Sequence, residues 1–229
     1  MGPLRVASFN IQHGRLPSGT VDTLLAAQAC ATLAADVLAL QEVDSKKSRS
    51  QWLDQATVIA GVCGMAHAFG PVRRHVFRGG YGNALLVRGA LSDVDAVRLP
   101  RTAAAEPRRA LLATAHVNGL VLSVAVTHLS VRGVESEPQL LAVLDALSRR
   151  PQPWLLVGDF NRGPRQVAPL VARAGLALVD PSLPTFPALE PRARIDHVAY
   201  AGLEPGAVEV RELPVSDHRA LVVELRPPQ

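Results

Sequence analysis

Four apolar runs in this chain are bounded by side chains that can bind a cation, move a proton or hold an anion. Trp154 to Val157 gives way to Gly158-Asp159-Phe160-Asn161, and Val37 to Leu40 gives way to Gln41 and Glu42. His128 follows Val121 to Thr127, and Ser216-Asp217-His218 precedes Ala220 to Leu225. Short apolar runs mark buried strands, so each polar group sits at a strand tip, where residues distant in sequence can converge. Carboxylate, amide and imidazole recurring at strand ends predict one site assembled from across the chain.

Hydrolysis of a phosphate ester needs this mixture. A cation must neutralise phosphoryl oxygens, a base must orient or deprotonate water, and donors must meet the charge that develops in line. Glu42 and Asp217 offer hard oxygens suited to Mg²⁺ or Mn²⁺, and Asn10 can add a carbonyl oxygen. No cysteine joins them, which speaks against zinc. Asp159 can hold the attacking water while the Asn161 amide donates to a phosphoryl oxygen, with Phe160 between them turned elsewhere. His128 and His218 can donate N–H to the other oxygens. Asp196, in Arg194-Ile195-Asp196-His197, can bond the far nitrogen of His218 and favour its imidazolium.

Taken singly, each signal has a plain structural reading. Asp159 with Asn161 would serve as a helix-capping turn, Glu42 as a solvated strand end, and the histidines as satisfied core or surface groups. His67, His75, His116 and His197 keep that reading, and so does His13, although it sits close to Asn10.

The elements that must position these groups follow from periodicity. Strands are expected at 4–11, 37–41, 83–88, 94–99, 109–115, 120–127, 154–157, 195–200, 207–213 and 220–225, with Asn118-Gly119 as a hairpin turn. Helices are expected at 21–35 with Thr20 as cap, at 51–62, from Ser136 to about Arg149, and at 166–174. Gly70 to Gly82 holds Arg73, Arg74, His75, Arg78 and several glycines and reads as a surface loop. Strands joined both by hairpins and by helices predict mixed sheets, packed on each other with helices outside.

With 229 residues, the chain fits one domain spanning 1–229. Hydrophobic residues make up 48%, charged residues 19% and aromatics only 4%, so a large core must be built from Ala, Val and Leu and disorder is excluded. The net charge of +4 and a pI near 9.7 suit an anionic partner such as a phosphate or nucleic acid. The positive charge is nearly all Arg in an Ala-, Pro- and Gly-rich chain, a mixture that compositional bias explains equally well. Cys30 and Cys63 show no metal or disulfide spacing and read as reduced, buried thiols. No signal-peptide pattern and no apolar run of membrane-spanning length are seen, so a cytoplasmic monomer is expected.

Seven motifs in order carry a resemblance: Ser8-Phe9-Asn10-Ile11, Leu40-Gln41-Glu42-Val43, Gly80-Tyr81-Gly82-Asn83-Ala84, Thr127-His128-Leu129, Gly158-Asp159-Phe160-Asn161, Arg194-Ile195-Asp196-His197 and Ser216-Asp217-His218. The series resembles the endonuclease/exonuclease/phosphatase superfamily over nearly the whole chain. The resemblance implies a four-layer α/β/β/α sandwich of two mixed β-sheets packed face to face with helices outside, and divalent-metal-dependent phosphoester hydrolysis. It also implies Asn10, Glu42 and Asp217 around the metal, Asp159 and Asn161 at the water and phosphate, Asp196 with His218, and His128 on phosphate oxygens. A Glu-x-Arg pattern of the family makes Arg109 a supporting residue after Glu106. Tyr81 and Asn83 fall on the substrate side.

One departure stands out. Pancreatic-type nucleases carry a Glu that pairs with the histidine equivalent to His128, and this chain has Asn83 there. That leaves one carboxylate–histidine pair where those enzymes have two. The expected activity is a nuclease-type phosphodiesterase, supported by the basic charge and the Arg73–Arg78 segment. Rival readings are a phosphatase or phospholipase-C-type enzyme acting on phospholipid or inositol phosphate headgroups, and an inactive phosphate-binding domain.

Overall fold

The computed structural model describes residues 2–75, 79–103, 105–179 and 182–228, with the backbone alone at 73–75. The chain opens with β1 (Leu4–Asn10), α1 (Thr23–Thr32), β2 (Val37–Ser45), α2 (Gln55–Cys63), β3 (Ala66–His75) and β4 (Gly79–Val87). It continues through β5 (Gly89–Arg98), β6 (Arg109–Val117), β7 (Leu120–His128), α3 (Gly133–Ser148), β8 (Trp154–Asp159) and α4 (Pro164–Arg173). The short β9 (Ala177–Leu178), β10 (Asp196–Ala201), β11 (Glu204–Arg211) and β12 (Ala220–Arg226) complete it.

The strands form two six-stranded sheets, ordered β11-β12-β1-β2-β4-β3 and β5-β6-β7-β8-β10-β9. Each sheet has a central parallel pair, β1 with β2 and β7 with β8, and is otherwise antiparallel. A parallel pair needs a crossover, which α1 and α3 supply. Both sheets are therefore mixed, as the alternation of hairpins and helices predicted.

Alternation along the strands sorts the apolar residues into three layers of core. Val6, Leu85, Leu111, Val126, Val157 and Leu221 meet between the sheets. Their neighbours Ala7, Phe9, Leu38 and Leu86 face away, toward Ala27, Leu33 and Ile59 of the first helical layer. Leu156 and Phe160 likewise face Leu144, Val167 and Val171 of the second. The result is the expected α/β/β/α sandwich. Among the described residues, no helix is long and apolar enough to cross a membrane.

Local boundaries differ where the sequence offers competing signals. Asp22, not Thr20, caps α1, its Oδ1 accepting from Leu25 N at 2.9 Å. Helix α3 begins at Gly133, three residues before Ser136. Gly70–Gly82, expected as a loop, is mostly the β3–β4 ladder, with Gly70 opposite Asn83 and Arg74 opposite Gly80. Glycine there is a packing requirement: a Cβ on Gly82 would lie 2.2 Å from the Gly70 carbonyl oxygen. Phe77 and Arg78, part of the basic segment, lie outside the described residues.

Candidate active site

Adjacent strands of the second sheet deliver one row of polar side chains. His128 is the register partner of Asp159 across β7–β8, and Asp159 is the partner of Asp196 across β8–β10. Cross-strand partners project to the same face. That face carries Val126, Val157 and Val198 one alternation deeper, so the row caps the inter-sheet core. Gly158, at φ +150°, makes the alignment possible, because a Cβ there would lie 1.9 Å from the Thr127 carbonyl oxygen.

The facing sheet supplies Asn10 and Glu42 by different means. Asn10 ends β1 on the alternation of Val6 and Ser8. Glu42 reaches the site through a bulge: the β2–β4 register shifts between Leu40 and Val43. Leu40 and Val43 both pack on the helix-facing side, so the extra residue turns Glu42 toward the opposite sheet. Its backbone is left-handed, at φ +58°, as are Gln12 (+43°), His13 (+48°), Asn161 (+50°) and Ser216 (+76°). Such backbone costs about 1–3 kcal/mol per residue and gathers where function constrains the chain. Ser216 anchors the last segment by donating Oγ–H to the Asn10 carbonyl at 2.6 Å.

Asp159 is the hub. Its Oδ1 accepts from Asn161 N at 2.9 Å, and its Oδ2 accepts from Asn10 Nδ2 at 3.1 Å. Around the same Oδ2 lie His128 Nε2 at 3.4 Å and His218 Nε2 at 3.7 Å. Asn10 Nδ2 also reaches Glu42 Oε1 at 3.3 Å, joining carboxylates from the two sheets. His218 Nδ1 meets Asp196 Oδ2 at 2.9 Å, with the Phe186 ring packed at 4.9 Å. His128 Nδ1 instead meets Arg108 Nη1 at 3.1 Å.

These partners set the charges. Burial raises the Asp159 pKa to about 7, aided by the Asp196 carboxylate and opposed by His218 and the bonds from Asn161 and Asn10. For His218, burial works against the proton but the Asp196 carboxylate overrides it, with Asp159 and Asp217 adding, and the imidazole rises to about 9. Burial, then Arg108 and His218, hold His128 well below the ordinary histidine value. Glu42 is raised by burial and by Asp217, against the Asn10 bond and His218.

The predicted residues divide accordingly. Asn10, Glu42, His128, Asp159, Asn161, Asp196 and His218 come together. Asn161 Nδ2 already donates to the Leu129 carbonyl at 3.0 Å, leaving one amide hydrogen for another acceptor. Asp217 is exposed, although its charge is felt by Glu42 and His218. Tyr81 is half-buried with its hydroxyl pKa raised by burial and by Glu42, and Arg49 lies 5.6 Å over its ring. Asn83 donates to the Arg109 carbonyl at 2.9 Å and so acts on backbone.

Arg108, not Arg109, is the arginine on the histidine. The signal was in Glu106-Pro107-Arg108, which has the Glu-x-Arg spacing; Arg108 Nη2 also pairs with Glu106 at 3.2 Å. His13, read as structural, has Nδ1 3.9 Å from Glu42 Oε2. A cavity of about 580 Å³ adjoins the site, with Gln12, Arg15, Leu16, Leu213 and Asp217 in its wall.

Residues 7–218 match the Endonuclease/Exonuclease/phosphatase family. The chain belongs to that family. An endonuclease/exonuclease/phosphatase from Beutenbergia cavernae DSM 12333 superposes with a TM-score of 0.81 at 25% identity, over 99% of this chain and 72% of that one. The human nocturnin catalytic domain, with bound sulfate, shares the fold at TM-score 0.71 and 20% identity, over 98% and 93% of the two chains. A mannosyl-6-phosphatase of Bacteroides thetaiotaomicron VPI-5482 shares it at TM-score 0.75 and 16% identity, over 97% and 99%. No curated protein matches the sequence. Members of the endonuclease/exonuclease/phosphatase family are phosphoester hydrolases, and the family is metal-dependent.

Two groups of side chains are candidates for the family's metal. Ligand atoms of Asp159, Asp196 and His218 lie within 4.8 Å of one another. That trio is a poor cage, since Asp196 is spent on His218 Nδ1 and a protonated imidazole cannot ligate. Glu42, Asn10 and Asp217 fit better. They are hard oxygen donors: Glu42 Oε2 lies beyond hydrogen-bond distance of His13, Asn10 Oδ1 accepts from Gln12 N at 3.1 Å and keeps a second lone pair, and burial, with a smaller push from Asp217, raises the proton affinity of Glu42 where a cation would relieve it.

Proposed function

We propose that residues 1–229 form a single catalytic domain, a Mg²⁺-dependent phosphoesterase that cleaves a phosphodiester by in-line attack of water. The observation that carries this reading is the surround of Asp159: one buried carboxylate oxygen faced by an amide and two imidazoles. A base must sit near working pH and within reach of the water it orients, and a value raised to about 7 suits Asp159 to that task. His218, held as imidazolium by Asp196, neutralises charge gathering on the phosphoryl oxygens. The remaining amide hydrogen of Asn161 and the Nε2–H of His128 complete the donor set.

Glu42, Asn10 and Asp217 would hold the cation, with Mn²⁺ as an alternative to Mg²⁺. The cation supplies Lewis-acid neutralisation of a phosphoryl oxygen when bound.

The basic net charge and the arginines at 73, 74 and 78 favour a nuclease-type substrate. The cavity beside Asp217 supports a second reading, a phosphatase or phospholipase-C-type enzyme, because its Leu16 and Leu213 wall suits the organic part of a lipid or inositol ester. An inactive phosphate-binding domain would not need a charged relay such as Asp196–His218. The test is a panel of plasmid, single-stranded DNA, RNA, abasic duplex, sphingomyelin, inositol phosphates and bis-p-nitrophenyl phosphate, each with Mg²⁺ and with EDTA. Cleavage that needs Mg²⁺ and falls roughly 10²–10⁴-fold in Asp159→Ala supports the reading. No cleavage of any ester, or full activity in the variant, removes it.

A further inference from the structure

Arg108 is buried to 8% exposure, an unusual setting for a guanidinium with one exposed carboxylate partner. Its backbone is clamped on both sides: its carbonyl accepts from Leu99 N at 3.0 Å, and the next carbonyl accepts from Asn83 Nδ2 at 2.9 Å. The side chain runs from that clamped backbone to His128, with Nη1 3.1 Å from Nδ1 and Nη2 3.2 Å from Glu106.

We propose that Arg108 is a positioning residue that holds His128 as its neutral Nε2–H tautomer, so that His128 serves as a fixed hydrogen-bond donor and never as an acid or base. This rests on the phosphoesterase reading of the same site.

The argument is one of hydrogen-bond capacity. A guanidinium has donors only and does not lose its proton in proteins. Nδ1 of His128 must therefore accept, and an accepting nitrogen carries no hydrogen. The ring proton is left on Nε2, which faces Asp159 Oδ2 at 3.4 Å. The other tautomer would set two N–H groups against each other, and the imidazolium would add a buried cation beside Arg108 and His218. The charged or titratable groups facing His128 are Arg108, ahead of β6; Asp159, at the end of β8; and His218, ahead of β12. Asn83 braces the backbone beside Arg108 through the Arg109 carbonyl.

The test reads the ring directly. In ¹⁵N-labelled, metal-free protein, long-range ¹H–¹⁵N correlation should show His128 with a pyridine-type Nδ1 and a pyrrole-type Nε2, unchanged between pH 5 and 9. Loss of the same peaks in His128→Gln assigns them. In Arg108→Met the ring should begin to titrate or populate both tautomers, and kcat should fall about 10- to 100-fold, the usual cost of losing a partner that fixes a histidine, with KM changed much less. Arg108→Lys, which keeps a cationic donor, should restore a non-titrating ring. A wild-type His128 that is Nδ1-protonated or imidazolium overturns the proposal, as does an Arg108→Met spectrum identical to wild type. If Arg108→Met does not fold, the wild-type and Arg108→Lys spectra decide. A locked ring in a protein that cleaves no ester upholds the lock and rejects the phosphoesterase reading instead.

Discussion

Two histidines flank one carboxylate oxygen, and their surroundings drive them in opposite directions. His128 and His218 are equally buried, at 6% and 5% exposure, so desolvation alone would push both toward the neutral form. His218 has a carboxylate behind it and rises to about 9; His128 has a guanidinium behind it and falls well below its ordinary value. The difference teaches that the charge of a buried imidazole is chosen by the group on its far nitrogen. The row across β7, β8 and β10, joined by His218 from just ahead of β12 in the facing sheet, thus brings a cation and a neutral donor to the same point.

The sharpest way to break this comparison is to remove each ring. His218→Gln loses a charge that matches the developing anion and should lower kcat roughly 10²–10⁴-fold. His128→Gln keeps an N–H donor and should cost about 10- to 100-fold. Single-turnover rates on a substrate identified by the panel would measure both, and equal losses would end the distinction. Asp196→Asn comes next. Its amide can still accept from Nδ1, but the charge that holds the proton is gone. The alkaline limb of the rate profile, expected near pH 9 in the wild type, should move down by at least a unit, and kcat at pH 8 should fall about twofold for a one-unit move and about tenfold for a two-unit move. A limb that stays in place would mean that Asp196 does not set the His218 charge.

Much of this site was legible in the sequence because strand ends and period-2 alternation are local signals. The run Trp154 to Val157 followed by Asp159 placed that carboxylate at a strand tip, His128 followed from the same rule after Val121 to Thr127, and Asp196 was read as the partner of His218. The parts that were not legible depend on register. Arg108 and Arg109 are adjacent and identical in type, a shift of one residue exchanges faces, and apart from the Glu-x-Arg spacing to Glu106 only register tells which one meets His128. Glu42 was found as a strand-end carboxylate, yet it reaches the site through a bulge whose signature is the distant pairing with β4. The β3–β4 ladder read as a loop because its glycines satisfy close backbone approach, not turn geometry. The fold class, by contrast, was carried by the order of hairpins and helices, which needs no register.

A smaller effect tests the same comparison without substrate. The His218 pKa is raised from 6.5 to about 9, so its contribution to folding is fully present below pH 6.5 and is lost as pH rises through 9. The span corresponds to stabilisation on the order of 3 kcal/mol. His128 is depressed, so its unfolded form binds the proton first and stability is lost as pH falls below 6.5. Urea unfolding in EDTA should therefore show stability falling between pH 6.5 and 9. Asp196→Asn should flatten that slope, while His128→Gln should leave it and remove part of the loss on the acid side. A slope unaltered in Asp196→Asn would assign it to other groups.

The smallest expected change lies in the opposite sheet. Glu42→Gln keeps the shape of the side chain but removes a charge from the proposed cation shell, and should raise the Mg²⁺ concentration for half-maximal rate by about tenfold. Glu42 bonds the Asn10 amide and is not among the groups that set the His128 and His218 charges, so the opposed titrations of His128 and His218 should persist in the variant. An unchanged Mg²⁺ requirement would take Glu42 out of the shell. Disturbed titrations with an unchanged requirement would make it a structural brace between the sheets, and the two halves of the site would then be one electrostatic unit instead of a cation shell facing a row of donors.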